Sequence, residues 1–123
     1  MNTVNNTYTR FIKRGQVYFA DLGDGMGSEM SGIRPVIIIQ NNMGNKYSST
    51  VTVVPVTSRY KDSNQPTHFL VEAGTANLNK DSVILAESIK TIAKERLKYY
   101  VGYLNDNFME EVSNIVKIQL GLQ

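Results

Sequence analysis

Val36, Ile37, Ile38 and Ile39 are four consecutive branched apolar residues, and they constrain the fold of this 123-residue chain more than any other segment. A half-exposed strand alternates apolar and polar positions. An unbroken β-branched run instead calls for burial on both faces. The rest of the chain must then cover both sides of that strand. A polar, glycine-punctuated loop ending in Arg34–Pro35 leads into it. Pro35 fixes its own φ and biases Arg34 toward an extended backbone. A permanent guanidinium charge is thus held at the mouth of a core strand by a stiff junction, the setting of an arginine that grips an anion.

The neighbouring segments supply such cover. Arg14–Leu22 alternates, with Val17 and Phe19 to one side and Tyr18 and Ala20 to the other. Thr50–Thr57 is dense in β-branched residues, and Pro55 within it implies an edge, a bulge or a strand end. Further strands are expected over Thr67–Val71, Val83–Ile92 and Tyr99–Leu104, with helical turns at Leu78–Ser82 and Lys94–Leu97. Asp21–Gly32, with four glycines, reads as a long flexible connection, and Ser58–Gln65 as a second polar loop. Asn41–Ser49 reads as a polar turn around Gly44–Asn45. From about Phe108 to Leu120 the apolar period becomes helical, with Asn107 and Glu110 placed as a capping box. Six short strands and one closing helix predict a mainly β protein, a small, partly open β-barrel with a C-terminal α-helix. A flexible arm is expected over 1–12 and a single domain over 13–123.

Composition removes several chemistries. The chain has no cysteine and one histidine, so disulfides, thiolate nucleophiles and cysteine-ligated zinc are excluded, and no metal site is expected. Two-histidine ribonuclease chemistry is excluded by the same count. No apolar run is long enough to span a membrane and the N-terminus has no signal-peptide core, which points to a cytoplasmic protein without a membrane partner. The net charge of +2 gives no strong basic field. Clusters such as Lys90, Lys94, Arg96 and Lys98 read as solvated faces. The Gly-rich segment GDGMGS lacks the lysine and following helix of a phosphate-binding P-loop.

The segments RGQVYFADLGDGMGSEMSGIRPVIIIQNN, PVTS, PTHFLV and KDSVILAESIKTIAKERL, in that order, resemble the MazF/PemK family of toxin endoribonucleases. The resemblance runs from about Lys13 to Leu104, with a family-like helix after it. It implies an SH3-like barrel, a homodimer, cofactor-free and metal-independent cleavage of single-stranded RNA at a short sequence, and neutralisation by a cognate antitoxin. It places the catalytic pair at Arg34, in GIRPV, and Thr57, in PVTS. Ser28 and Glu29 match loop positions near the substrate. Met30 stands where many relatives carry a polar residue, and Ser88 and Lys90 stand where many carry glutamine and arginine. Those departures bear on the RNA sequence recognised more than on the chemistry.

RNA brings its own nucleophile, the 2′-hydroxyl, so no enzyme serine or cysteine is needed. The Arg34 fork can pair two non-bridging phosphate oxygens, and the Thr57 hydroxyl can donate to the same group. A guanidinium is a poor proton acceptor, so the base stays open among Glu29, water and the RNA itself. Tyr60, between Arg59 and Lys61, is a base-stacking candidate. Glu87 and Ser88 are further candidate substrate contacts. His68 on its strand reads as structural. Two rival readings are a non-enzymatic gyrase inhibitor of the related CcdB group and an RNA-binding barrel without turnover.

Overall fold

In the computed structural model, which describes residues 12–60 and 63–123, the β-branched runs form seven strands. They are β1 (Gln16–Asp21), β2 (Ile33–Ile38), β3 (Thr50–Thr57), β4 (His68–Val71), β5 (Ser82–Leu85), β6 (Lys90–Ala93) and β7 (Leu97–Tyr103). Helix α1 (Asn42–Tyr47) joins β2 to β3, and α2 (Asp106–Leu120) ends the chain. The strands pair antiparallel in the order β4-β5-β3-β2-β1-β7, with β6 beside the first half of β3. The expected mainly β, not fully closed architecture with a C-terminal helix is therefore observed, with seven strands rather than six.

The central run is covered on both sides. Ile37 joins Val17, Val54, Ile84 and Val112 in one apolar cluster, the side packed by α2. Val36 and Ile38 join Tyr18, Val51, Val53 and Ile92 in a second. Consecutive residues Val53 and Val54 are both fully buried in opposite clusters. Each such side chain contributes about 1.5–3 kcal/mol relative to exposure. Ile39 is only partly buried, because its N–H and that of Gln40 both reach the Thr52 carbonyl and the ladder ends there.

Several elements differ from expectation. Val83–Ile92 is two strands, because the single 3-10 turn Ala86–Ser88 turns the chain. β5 then pairs with Val56 and Thr57, whereas β6 pairs with Thr50–Val53. Pro55, paired with Val36 on its other edge, sits where β3 changes partners, so its missing N–H costs no ladder bond on that side. Asn41–Ser49 is a helix, not a plain turn: the Asn41 side chain accepts from the Gly44 N–H at 2.8 Å. Buried Asn45 anchors it to the Gln40 carbonyl at 2.9 Å, and buried Lys94 donates to the Asn45 carbonyl at 2.5 Å. Burial lowers the Lys94 pKa. The cap of α2 is Asn105, accepting from the Phe108 N–H at 2.9 Å, rather than Asn107.

The β1–β2 connection is better ordered than a flexible loop. Leu22 N–H donates to Gly32 and Gly32 N–H to Gly23, each at 2.9 Å, so its base zips like a hairpin extension. Both glycines have φ of 75°, a region that disfavours side chains. The helical turn expected at Leu78–Ser82 lies earlier, at Thr75–Asn77. That turn packs on β7: Asn77 Nδ2 donates to the Val101 carbonyl at 2.9 Å. It bridges the two ends of the sheet order, which the strands themselves leave unpaired. The arm expected over 1–12 lies outside the described residues except for Ile12, which is buried in the second cluster. Among the described residues, no helix is long and apolar enough to cross a membrane.

Candidate active site

Arg34 and Thr57 lie on adjacent strands, just past the end of their ladder, and line one cavity. Ile38, Ile37 and Val36 of β2 face Val53, Val54 and Pro55 of β3. That pairing ends at Val36–Pro55, and Arg34 lies two residues before it on β2 and Thr57 two residues after it on β3, at the same end of the two strands. On their outer flanks Arg34 pairs with Ala20 and Thr57 with Val83, so the row is held from both sides. Both residues line one cavity of about 350 Å³, with Phe19, Ile33, Ser58, Asn77, Asn79 and Lys80 among its other walls.

Each side chain is positioned by a backbone contact that leaves its chemistry available. Half-buried Arg34 donates from Nε to the Ser31 carbonyl at 2.8 Å. This fixes the guanidinium plane and leaves the terminal nitrogens for a fork on an anion. Thr57 is 4% exposed, at the cavity floor, and its Oγ1 accepts the Arg59 N–H at 3.2 Å. The hydroxyl proton remains available to donate. Among the described residues no carboxylate or imidazole lines this cavity. Among the described residues the one ion pair is His68–Glu87, so Arg34 is not neutralised there.

The remaining predicted residues lie around a second region. Ser28, Met30, Arg59, Tyr60, Glu87 and Ser88 line a cavity of about 780 Å³ together with His68. Ser58 lines both cavities, so they adjoin at that residue. Glu29 lines a third space with Ser28, Met30, Glu87, Ser88 and Lys90, and its carboxylate accepts the Met26 N–H at 3.0 Å. The candidate base Glu29 is thus not brought to the cavity of Arg34 and Thr57. Lys61 lies outside the described residues.

His68 is structural in the sense expected, and its setting explains why. Its ring hydrogen-bonds Glu87 Oε2 through Nε2 at 2.6 Å and Ser63 Oγ through Nδ1 at 2.5 Å, with the side chain 6% exposed. Tyr60 stacks near it, centroids 6.3 Å apart and planes 28° from parallel. Tyr60 holds φ of 61°, an uncommon conformation for an aromatic residue that recurs at functional loops. Burial alone would raise the Glu87 pKa, but hydrogen bonds from His68, its own backbone and Thr67 outweigh it and leave the carboxyl below its usual value. Among the described residues no group of three or more His, Asp or Glu is placed to hold a metal ion.

Sequence reasoning missed Asn77, Asn79 and Lys80 as walls of the first cavity, and Ser63 as a partner of His68. Nothing in their periodicity marks them. Asn77 and Ala76 hold φ of 63° and 51°, visible only in the folded chain.

Comparison with known proteins gives a consistent set. The family model for PemK-like, MazF-like toxins of type II toxin–antitoxin systems matches residues 13–120. An endoribonuclease MazF of Staphylococcus saprophyticus is 52% identical over 111 residues, covering 90% of this chain and 92% of its own. A mycobacterial endoribonuclease solved in complex with its cognate antitoxin superposes with a TM-score of 0.76 at 27% identity, covering 91% of this chain and 97% of that one. MazF from Deinococcus radiodurans shares the fold, with a TM-score of 0.77 at 21% identity over 90% of this chain and 97% of its own.

Proposed function

The chain belongs to the PemK-like, MazF-like toxin family, and from that premise we propose that it is a sequence-specific endoribonuclease that cleaves single-stranded RNA in the cytoplasm. The observation that carries this reading is a guanidinium without an ion pair among the described residues, Arg34, sharing one cavity with the Thr57 hydroxyl. Arg34 grips the non-bridging oxygens of the scissile phosphate and offsets the charge that builds as phosphorus becomes pentacoordinate. Thr57 donates a further hydrogen bond to the same group. The 2′-hydroxyl attacks, and its proton passes to solvent. Neither step calls on a bound metal. The cavity of Met30, Arg59, Tyr60, Glu87 and Ser88 accommodates flanking bases, by stacking on Tyr60 and through polar groups at base edges.

A homodimer fits the exposed apolar stripe on one face of the sheet. Phe19 and Tyr99 pair at 5.0 Å, and Ile33, 61% exposed, lies one strand over on the same face. An acidic, partly disordered antitoxin would fold into the cationic cavities as it binds. A gyrase inhibitor is not favoured, since protein binding has no use for Arg34 and Thr57 arranged in this way.

Purified protein incubated with a mixed pool of single-stranded RNA in EDTA tests the proposal, with cleaved ends mapped by sequencing. Cleavage at a short common sequence is expected. Arg34→Ala and Thr57→Ala each reduce the rate by about 100-fold or more while the fold persists. Absence of cleavage by the unmodified protein, or full activity in either variant, would overturn the assignment.

A further inference from the structure

Lys80, an exposed residue, lines the Arg34–Thr57 cavity, and its backbone follows a tightly held turn. Ala76 and Asn77 both hold left-handed backbone, with φ of 51° and 63°. For alanine that conformation is uncommon and persists only where surroundings enforce it. Here they do. Asn77 is tied to the Val101 carbonyl, and Gly102 approaches so closely that a Cβ would lie 2.5 Å from the Ala76 oxygen. Gly74 N–H donates to the Leu78 carbonyl at 2.6 Å. Past the turn, the Ser82 hydroxyl donates to the Lys80 carbonyl at 2.9 Å. Val83, paired with Thr57, follows three residues after Lys80, a chain span of at most about 11 Å.

The Lys80 ammonium is not neutralised. Its neighbour Asp81 instead accepts the Ala73 N–H at 2.8 Å, and among the described residues Lys80 has no ion pair. The cavity it shares with Arg34 and Thr57, about 350 Å³, holds roughly a dozen waters' volume, enough for one phosphodiester group with its ester oxygens. Two cationic residues therefore line a space large enough for a phosphodiester group.

Their chemistry differs. An alkylammonium is a stronger acid than a guanidinium, so it surrenders a proton to a developing alkoxide more readily. Arg34 is also committed through Nε to Ser31. We propose that Lys80 is the general acid of the cleavage reaction, protonating the departing 5′ oxygen while Arg34 and Thr57 hold the phosphate; this rests on the nuclease reading above. The bond from the 2′ oxygen to phosphorus forms as the bond from phosphorus to the 5′ oxygen breaks. The 2′ proton leaves to solvent, the Lys80 ammonium gives one proton to the 5′ oxygen, and the amine regains it from solvent. The products are a 2′,3′-cyclic phosphate and a 5′-hydroxyl end.

A leaving-group substitution tests this. Two oligonucleotides carrying the mapped cleavage sequence are compared in single turnover, one natural and one with sulfur in place of the scissile 5′ oxygen. A thiolate leaves without protonation, so an acid catalyst becomes dispensable for it. Lys80→Ala is expected to lose about 100-fold or more on the oxygen substrate and to stay within about threefold of wild type on the sulfur one. Lys80→Arg keeps the charge but not the acidity, and should remain at least about tenfold slow on the oxygen substrate alone. Equal losses on both substrates, a wild-type rate for Lys80→Ala, or full recovery in Lys80→Arg would each overturn the acid assignment and leave the nuclease intact. Wild-type protein that cleaves neither oligonucleotide overturns the nuclease reading, and this assignment with it.

Discussion

Gly102→Ala asks whether the turn carrying Asn77–Lys80 is held by packing. Gly102 is not among the glycines with positive φ, so alanine meets no backbone penalty there. In open space the change would stabilise by about 0.4–1 kcal/mol by restricting the unfolded chain. In this structure the added Cβ would lie 2.5 Å from the Ala76 oxygen, 2.8 Å from the Ala76 carbonyl carbon and 3.1 Å from Asn77 Nδ2. The first two are main-chain atoms and cannot swing aside, so the turn must lift from β7. Overpacking of this kind costs about 1–3 kcal/mol, and loss of the Asn77–Val101 hydrogen bond about 1 kcal/mol more. After the unfolded-state gain, a net loss of about 2 kcal/mol is expected, a fall in Tm of about 6–10 °C for a domain of this size. Thermal and urea denaturation read it directly. Displacing a cavity wall by about 1 Å should also slow RNA cleavage on the order of 100-fold well below the melting temperature. A Tm equal to or above wild type would refute the reasoning, because the sign of the effect is what close packing dictates.

Two other perturbations bear on the second cavity. The Glu87 carboxyl has a folded pKa below its usual 4.5, so its stabilising contribution is present above that value and lost as pH falls through the folded pKa. Glu87→Gln should therefore be less stable than wild type at neutral pH and approach it as acid protonates the carboxyl, and a stability difference that is the same at neutral and acid pH would contradict this. His68→Gln should shift the preferred RNA sequence or raise KM, while the pH profile of kcat keeps its shape; loss of an ionisation from that profile would make His68 a catalytic group.

Sequence made the strands legible where side chains alone decide them. Thr50–Thr57 was bounded correctly because seven of its residues are β-branched and its flanks are polar. Val83–Ile92 reads just as continuously, yet Ala86–Ser88 breaks it, since an apolar run carries no mark of which partner each half will pair with. Asn41–Ser49 hid a helix whose support is tertiary: the Lys94 ammonium on the Asn45 carbonyl, far along the chain. The site followed the same division. Arg34 was conspicuous through Pro35 and the run after it, whereas Thr57 was singled out by family resemblance. Only the pairing of β2 with β3 brings their ends to one cavity. Asn77, Asn79 and Lys80 come to the cavity through a turn whose geometry depends on Gly102, a contact no local pattern announces.

The sheet also separates the chemistry from readout. Thr57 on β3 pairs with Val83 on β5, and Leu85, two residues further along β5, pairs with His68 on β4. Two interstrand spacings of about 4.8 Å and two residues of about 3.3 Å put His68 about 12 Å from Thr57. A proton acceptor must come within hydrogen-bond reach of the 2′-hydroxyl, so His68 cannot serve the phosphate held at Thr57. Both of its ring nitrogens are engaged as well, by Glu87 and Ser63. The one imidazole in the chain, the obvious acid–base candidate by residue type, is spent on fixing the wall against which Tyr60 rests. Proton delivery to the leaving oxygen then falls to a group in the cavity itself, and among its described lining residues Lys80 and Arg34 are the charged donors. The strand register keeps histidine away from the phosphate, and the turn before β5 brings Lys80 to the cavity wall instead.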